Sequence, residues 1–436
     1  MRELQLKNSM FDVIGLLLLV IIVAYGNALG ADFQFDDYNV IVDNQRVHTL
    51  AAWWQSQPGL RPLLRLTDTL NWLICPQASC FVAFNLLLHA GCTLGVFLLV
   101  EKLATQRKLP GHTALLTAIL FALHPVHSEA VTYISGRSMS LMTCAYLWSL
   151  LAYERWRDCK QSGWRCLSLA LFICAMVAKE TAIIMPATLM LWERVMRPQS
   201  SLRQAFTMTS LHWWGLAVPL LLLGGSSEYQ KLLLAEGPAR PLTELVSQQS
   251  SSIFYLISKI FWPLRLCIDP LPVSHGTLKF FLVLLLATCV WAWKRNALPI
   301  GFALLWLMLH LLPTNSLIVR WDYASERHLY WATWPLLLVI SACLLKIKPF
   351  WRQLTLCLIL PALLWLTVAR NADYRNEVAL WRSTVSVVPL KPRAWNNLGY
   401  ALEQAGDISG ALTAYKQALR IDPEFSIARR NLYAIE

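Results

Sequence analysis

The sequence predicts an all-α fold: a polytopic bundle of membrane-spanning helices that ends in a short helical hairpin. Three observations carry this reading. The 436-residue chain is 56% hydrophobic and only 15% charged, with a mean hydropathy of +0.46, whereas soluble domains carry about 25% charged residues. The apolar residues fall in long runs such as Phe11–Leu29, Phe81–Val100 and Phe280–Trp293. In hydrocarbon a segment must satisfy its own backbone hydrogen bonds, so such runs are helices. Lastly, the Lys and Arg residues flank the runs and do not interleave with aromatics, a membrane-topology pattern that excludes nucleic acid as a partner.

Taking the N-terminus as cytoplasmic, the runs can be walked in order. Phe11–Leu29 exits and delivers an outer loop, residues 30–79. Ala28-Leu29-Gly30 loosely resembles a signal-peptidase site, but the run is long enough to span, so it reads as an uncleaved first helix. Phe81–Val100 returns to Lys102, Arg107 and Lys108. Thr113–Leu123 exits, Met139–Tyr153 returns to Arg155, Arg157, Lys160 and Arg165, and Cys166–Val177 exits. Ala182–Trp192 returns to Arg194, Arg197 and Arg203, and Leu211–Leu223 exits. Ile253–Leu266 reads as an amphipathic segment at the outer interface. Phe280–Trp293 enters, Pro299–Leu312 exits, Leu329–Leu345 enters to Lys346 and Lys348, and Leu354–Val368 exits. The walk gives about eleven spans with nearly every basic cluster inside. It places the membrane domain at residues 1–369 and a charged tail, residues 370–436, on the non-cytoplasmic side.

The tail has tetratricopeptide spacing. Trp395-Asn396-Asn397-Leu398-Gly399, Gly406-Asp407, Ala411-Leu412, Tyr415, Ala418 and Asp422-Pro423 mark one repeat over residues 391–424. Ala379-Leu380-Trp381 before Pro389 resembles the second helix of a preceding repeat. A single repeat cannot bury its own face, so the tail needs something to pack on. Most cysteines lie in apolar runs and read as small hydrophobes. Cys75 and Cys80 bracket a turn in the outer loop and are disulfide candidates.

Polar groups beside lipid are costly and are candidates for function. Here they gather on the expected outer side. Asp36 and Asp37 form an acidic pair after the first span; they can cap a turn, hold a divalent cation such as Mg or Mn, or supply a general base. His124-Pro125-Val126-His127-Ser128-Glu129, followed by Gly136-Arg137, reads either as a polar helix start or as a phosphate or metal site. Lys179-Glu180 reads as an ion pair at a helix break or as a phosphate-binding lysine. Arg320-Trp321-Asp322-Tyr323 leads into Glu326-Arg327-His328-Leu329-Tyr330, where Arg327 and His328 sit at the level of lipid head groups.

Together with Leu60-Arg61-Pro62-Leu63, Asn71 and Asn85-Leu86-Leu87-Leu88-His89, these motifs in this order resemble the transmembrane and tetratricopeptide repeat O-mannosyltransferases. The chain looks like a bacterial member with a much shorter tail. The resemblance implies a GT-C fold and transfer of a sugar from a polyprenyl-phosphate donor, on the periplasmic side of an inner membrane. The acceptor hydroxyl would belong to a Ser or Thr of an envelope protein, docked by the tail. It also implies that Asp36 or Asp37 is the base or binds a metal. Arg327, His328, Lys179 and Arg61 are the candidates for the donor phosphate, with His124, His127, Glu129, Arg137, Glu180 and Glu326 in support. Without a Gly-rich phosphate loop, a nucleotide-sugar donor fits less well. Transfer to a lipid or glycan, a non-enzymatic envelope scaffold and a transporter of lipid-linked sugar are the competing readings.

Overall fold

A computed structural model describes residues 2–57, 59–225, 227, 230, 242–272, 287–288, 298–311 and 323–436. The described residues are helical and include no strand. Three helices are long and apolar enough to cross a membrane: Met10–Gly30, Ala78–Arg107 and Pro349–Asp373. They contain the apolar runs expected at Phe11–Leu29, Phe81–Val100 and Leu354–Val368. A fourth span is formed if Thr113–Leu123 and Pro125–Val131, bent by 54° at His124, are one element. Ser162–Ala178, Pro299–Leu311 and Trp334–Leu344 are apolar but shorter. The described helices therefore do not establish the expected count of about eleven. The run Phe280–Trp293, apart from Ala287 and Thr288, and the segment Arg320-Trp321-Asp322 lie outside the described residues.

The helices share one large apolar core. Met10–Gly30 packs on Ala78–Arg107, Thr113–Leu123 and Pro349–Asp373, while Arg137–Cys159 and Ser162–Ala178 form a tight hairpin. Phe11, Ile22, Leu87 and Leu358 remain exposed on the outside, as lipid-facing side chains should. At the Arg107 end of Ala78–Arg107, buried Glu154 and Glu193 are neutralised by cations from several helices. Arg157 Nη2 lies 2.6 Å from Glu193 Oε1, and Arg197 Nη2 lies 2.9 Å from Glu154 Oε1. Lys102 adds a further pair to Glu154. The polar motifs of interest lie at the other end.

The last membrane-length helix continues to Asp373, past the expected boundary at residue 370. Helix Glu377–Val387 follows, capped by Asn376, and then the hairpin of Pro392–Gln404 and Ile408–Ile421. Gly399 is required at the crossing: a Cβ there would lie 2.6 Å from the Tyr415 ring. Asp407 caps the second helix by accepting from Gly410 N at 2.9 Å. The tail does not stand alone. Trp381, Val385, Ala394 and Leu398 form a second core with Cys267, and Phe35, Ile268 and Leu271 pack against it.

Candidate functional site

The outer loop turns sharply at Phe35, whose φ of 49° is costly for a residue with a Cβ. The turn is held from the tail side, where the Phe35 ring meets Trp381 edge-on at 5.3 Å. It is also tied by the backbone: Asp32 N donates to Arg375 O at 2.9 Å, and the Gln34 side-chain amide donates to Tyr374 O. The outer loop and the tail are therefore on the same side of any membrane.

This turn gives the two adjacent aspartates different surroundings. Asp37 is fully buried. Its Oδ1 accepts from Ser135 N at 2.9 Å and from Ser135 Oγ, and its Oδ2 accepts from Gln34 N at 3.1 Å. Burial pushes its carboxyl up to about 7, against the opposing pull of the Ser135 and Gln34 bonds. Asp36 is half-buried and lines a cleft; its backbone N donates to Tyr133 Oη at 3.2 Å. Both Asp37 oxygens thus accept hydrogen bonds from neighbouring segments of the chain. Among the described residues no group of three His, Cys, Asp or Glu side chains could hold a metal ion.

The cleft is lined by Asp36, Glu129, Tyr133, Ser325 and Arg327 of the membrane domain. Asp269 and, from the tail, Trp381 and Arg393 complete this part of its wall. Buried Glu129 organises one side. It accepts from Ser325 Oγ at 2.7 Å and from Arg327 N at 3.0 Å, and its Oε1 lies 3.5 Å from Arg327 Nε. Arg327 is thereby held at its backbone, with its side chain ion-paired to Glu129 at longer range and one-quarter exposed. Gly136 makes the Glu129 turn possible, since a Cβ there would fall 2.1 Å from Glu129 O.

Behind the cleft the charges are satisfied internally. Glu326 accepts from Tyr255 Oη at 2.8 Å and Cys267 N at 2.9 Å, and lies 3.6 Å from Arg370. Burial pushes its carboxyl up to about 7; Arg370 opposes the rise and Glu129 adds to it. Arg137 is buried and donates to Asn85 Oδ1, Asp68 Oδ1, Asn71 Oδ1 and Phe81 O at 2.8–3.1 Å. It ties the outer-loop helix Pro62–Ile74 to the start of Ala78–Arg107.

Of the residues singled out in the sequence, the structure brings Asp36, Glu129 and Arg327 to one cleft. Asp37, Arg137 and Glu326 stand behind it. His124 and His127 do not line it: His124 Nε2 contacts Ile260 O at 3.0 Å, and His127 bridges Phe121 O and Thr333 Oγ1 at 2.9 and 3.0 Å. They support the bend after Leu123. Arg61 forms a two-bond pair with Glu180, Nη2 to Oε1 at 2.8 Å and Nε to Oε2 at 3.1 Å. Burial opposes the charge on Glu180, but Arg61 and Lys179 outweigh it and hold the carboxyl at about 2. Arg61, Lys179, Glu180 and the buried His328 are not part of the cleft wall. Asp269, Arg370, Tyr255 and Arg393 were not singled out in the sequence, because none sits in a local motif. Cys75 and Cys80 are joined.

Fold and cleft together define a helical membrane protein with a tetratricopeptide hairpin docked beside a carboxylate–guanidinium cleft. Comparison with protein families matches residues 392–425 to the tetratricopeptide repeat, one residue on from the expected span. Among curated proteins, the Protein O-mannosyl-transferase TMTC3 of Mus musculus is 25% identical over 498 residues, covering 99% of this chain and 53% of its own length. Protein O-mannosyl-transferase Tmtc3 of Drosophila melanogaster is 26% identical over 510 residues, 92% of this chain and 54% of its own. The human Protein O-mannosyl-transferase TMTC4 is 26% identical over 483 residues, 91% of this chain and 64% of its own. The chain spans roughly half the length of the first two of these relatives.

Proposed function

We propose that the protein is a membrane glycosyltransferase that moves a sugar from a polyprenyl-phosphate donor to a hydroxyl, with a Ser or Thr of an envelope protein as acceptor. The observation that carries the reading is the meeting of Asp36, Glu129 and Arg327 in one cleft beside the tail. The names of the similar proteins support glycosyl transfer to protein.

The chemistry needs few parts. The acceptor oxygen bonds to the anomeric carbon of the sugar as the bond from that carbon to phosphate oxygen breaks. The electron pair stays on the phosphate, and the hydroxyl proton passes to Asp36. Asp36 suits the base because it faces the cleft, whereas the oxygens of Asp37 are committed to Ser135 and Gln34. Arg327 meets the charge that grows on the departing phosphate, and Glu129 keeps it in place before the reaction starts. Placement of the cleft and tail on the periplasmic face of an inner membrane is part of this proposal. Their mutual contact and the Cys75–Cys80 bond in the outer loop are consistent with it.

The test is glycopeptide and intact-mass analysis of envelope proteins from cells with the wild-type gene, without it, and with Asp36→Asn. The expected result is a sugar on Ser or Thr in the first strain alone. Unchanged glycosylation in all three would refute the reading. The same sugar found instead on a lipid or glycan would keep the transferase and replace its acceptor.

A further inference from the structure

We infer that Arg393, carried by the first helix of the tetratricopeptide repeat, joins Arg327 in a two-guanidinium clamp for the phosphate of a lipid-linked sugar. The inference rests on the reading of the cleft as the transfer site. It makes the tail a component of the donor site as well as a docking element.

Arg327 and Arg393 line the same cleft from opposite parts of the chain. Each guanidinium pairs through charge with a buried carboxylate of the membrane domain, at a distance longer than a hydrogen bond. Arg327 Nε lies 3.5 Å from Glu129 Oε1, and Arg393 Nε lies 3.7 Å from Asp269 Oδ2. A guanidinium offers planar paired donors that match phosphate oxygens, which is what phosphate recognition by arginine uses. A docking role alone does not explain Arg393. Lys391 already pairs with the Asp269 carboxylate and bonds Asp269 O and Pro270 O at 3.2 and 3.1 Å. The two clamps therefore contain two carboxylates, Glu129 and Asp269, and three cations, Arg327, Arg393 and Lys391. Asp36 lines the same cleft, so three carboxylates face these three cations; the proton that Asp36 takes up as the sugar leaves removes one negative charge just as the phosphate gains its second.

The test uses the full chain in lipid nanodiscs. Binding of a polyprenyl monophosphate is measured by native mass spectrometry, and donor and acceptor KM are measured in the transfer assay. Arg393→Gln is expected to weaken polyprenyl phosphate binding and raise donor KM roughly tenfold or more. Acceptor KM should stay unchanged, and Arg393→Lys should restore part of the loss. Limited proteolysis should find the tail of Arg393→Gln as resistant as wild type, because Lys391 remains. Wild-type binding that Arg393→Gln leaves unchanged would overturn this inference alone. A tail released to protease in Arg393→Gln would reduce Arg393 to a docking residue and overturn it as well. Wild-type protein that neither binds polyprenyl phosphate nor transfers sugar would overturn both the inference and the reading beneath it.

Discussion

Asn substitutions at Asp36 and Asp37 should separate chemistry from architecture. The side chain of Asp37 receives three hydrogen bonds: two at Oδ1 from Ser135 and one at Oδ2 from Gln34 N. An asparagine offers only one oxygen. Whichever way its amide is turned, the NH₂ group faces a backbone N–H of Ser135 or Gln34, and one buried donor loses its acceptor. Such a loss costs about 1–3 kcal/mol. Asp37→Asn should therefore lower the thermal unfolding midpoint of the detergent-solubilised protein, yet retain transfer at temperatures where it is folded. Among the described residues no such ring of donors surrounds the Asp36 carboxylate, so Asp36→Asn should unfold like wild type. Its transfer rate should fall about 10²–10⁴-fold, the usual worth of a positioned general base. Both variants are assayed for initial transfer rate and for thermal unfolding in one buffer. The opposite pattern, an inactive Asp37→Asn with wild-type stability beside an active Asp36→Asn, would refute the assignment and show that the buried carboxylate turns outward to react.

Stability should also depend on pH in a traceable way. Asp37 and Glu326 both have carboxyls raised to about 7 by burial, so the folded protein holds their protons more tightly than the unfolded chain. Their contribution is fully present below an ordinary carboxylate value of about 4 and is lost as pH rises through about 7. Unfolding curves recorded across that window should show the loss, and Glu326→Gln should flatten part of it. Arg137→Met should cost about 3–5 kcal/mol, because it leaves buried Asp68 with Arg65 alone and removes the bonds to Asn85, Asn71 and Phe81 O, and adding Asp68→Asn should recover some of that. Denaturant titration with a cost below about 1 kcal/mol would contradict the hub role of Arg137.

Much of the scaffold was legible because its signals are local. Apolar runs at Phe11–Leu29, Phe81–Val100 and Leu354–Val368 lie within membrane-length helices, since solvation by lipid acts on each segment separately. The repeat spacing around Trp395, Gly399 and Ala411 is likewise set by one hairpin crossing on itself. The site was legible only as motifs. Nothing near Asp36 and Asp37 in the sequence says which one is buried, because that depends on Ser135, 98 residues away, and on the strained turn at Phe35. Arg61 carries the right charge for a phosphate site, but it pairs with Glu180, 119 residues away. Arg393 and Asp269 meet across the seam between tail and membrane domain, which no local pattern encodes.

That seam also answers how one repeat is stable without a stack of neighbours. A lone hairpin leaves an apolar face that the next repeat would normally cover. Here Cys267, Ile268 and Leu271 of the membrane domain cover it, together with Phe35 from the outer loop, and Lys391 adds its contacts to Asp269 and Pro270. The tail is thus fixed relative to Asp36, because Phe35 and Asp36 are consecutive and Phe35 packs on Trp381. A polypeptide held by the tail would reach the cleft from a set direction, turning encounter into an intramolecular step. The geometry that stabilises the hairpin is the geometry that would present an acceptor, so loosening the seam should impair folding of the tail and capture of the acceptor together.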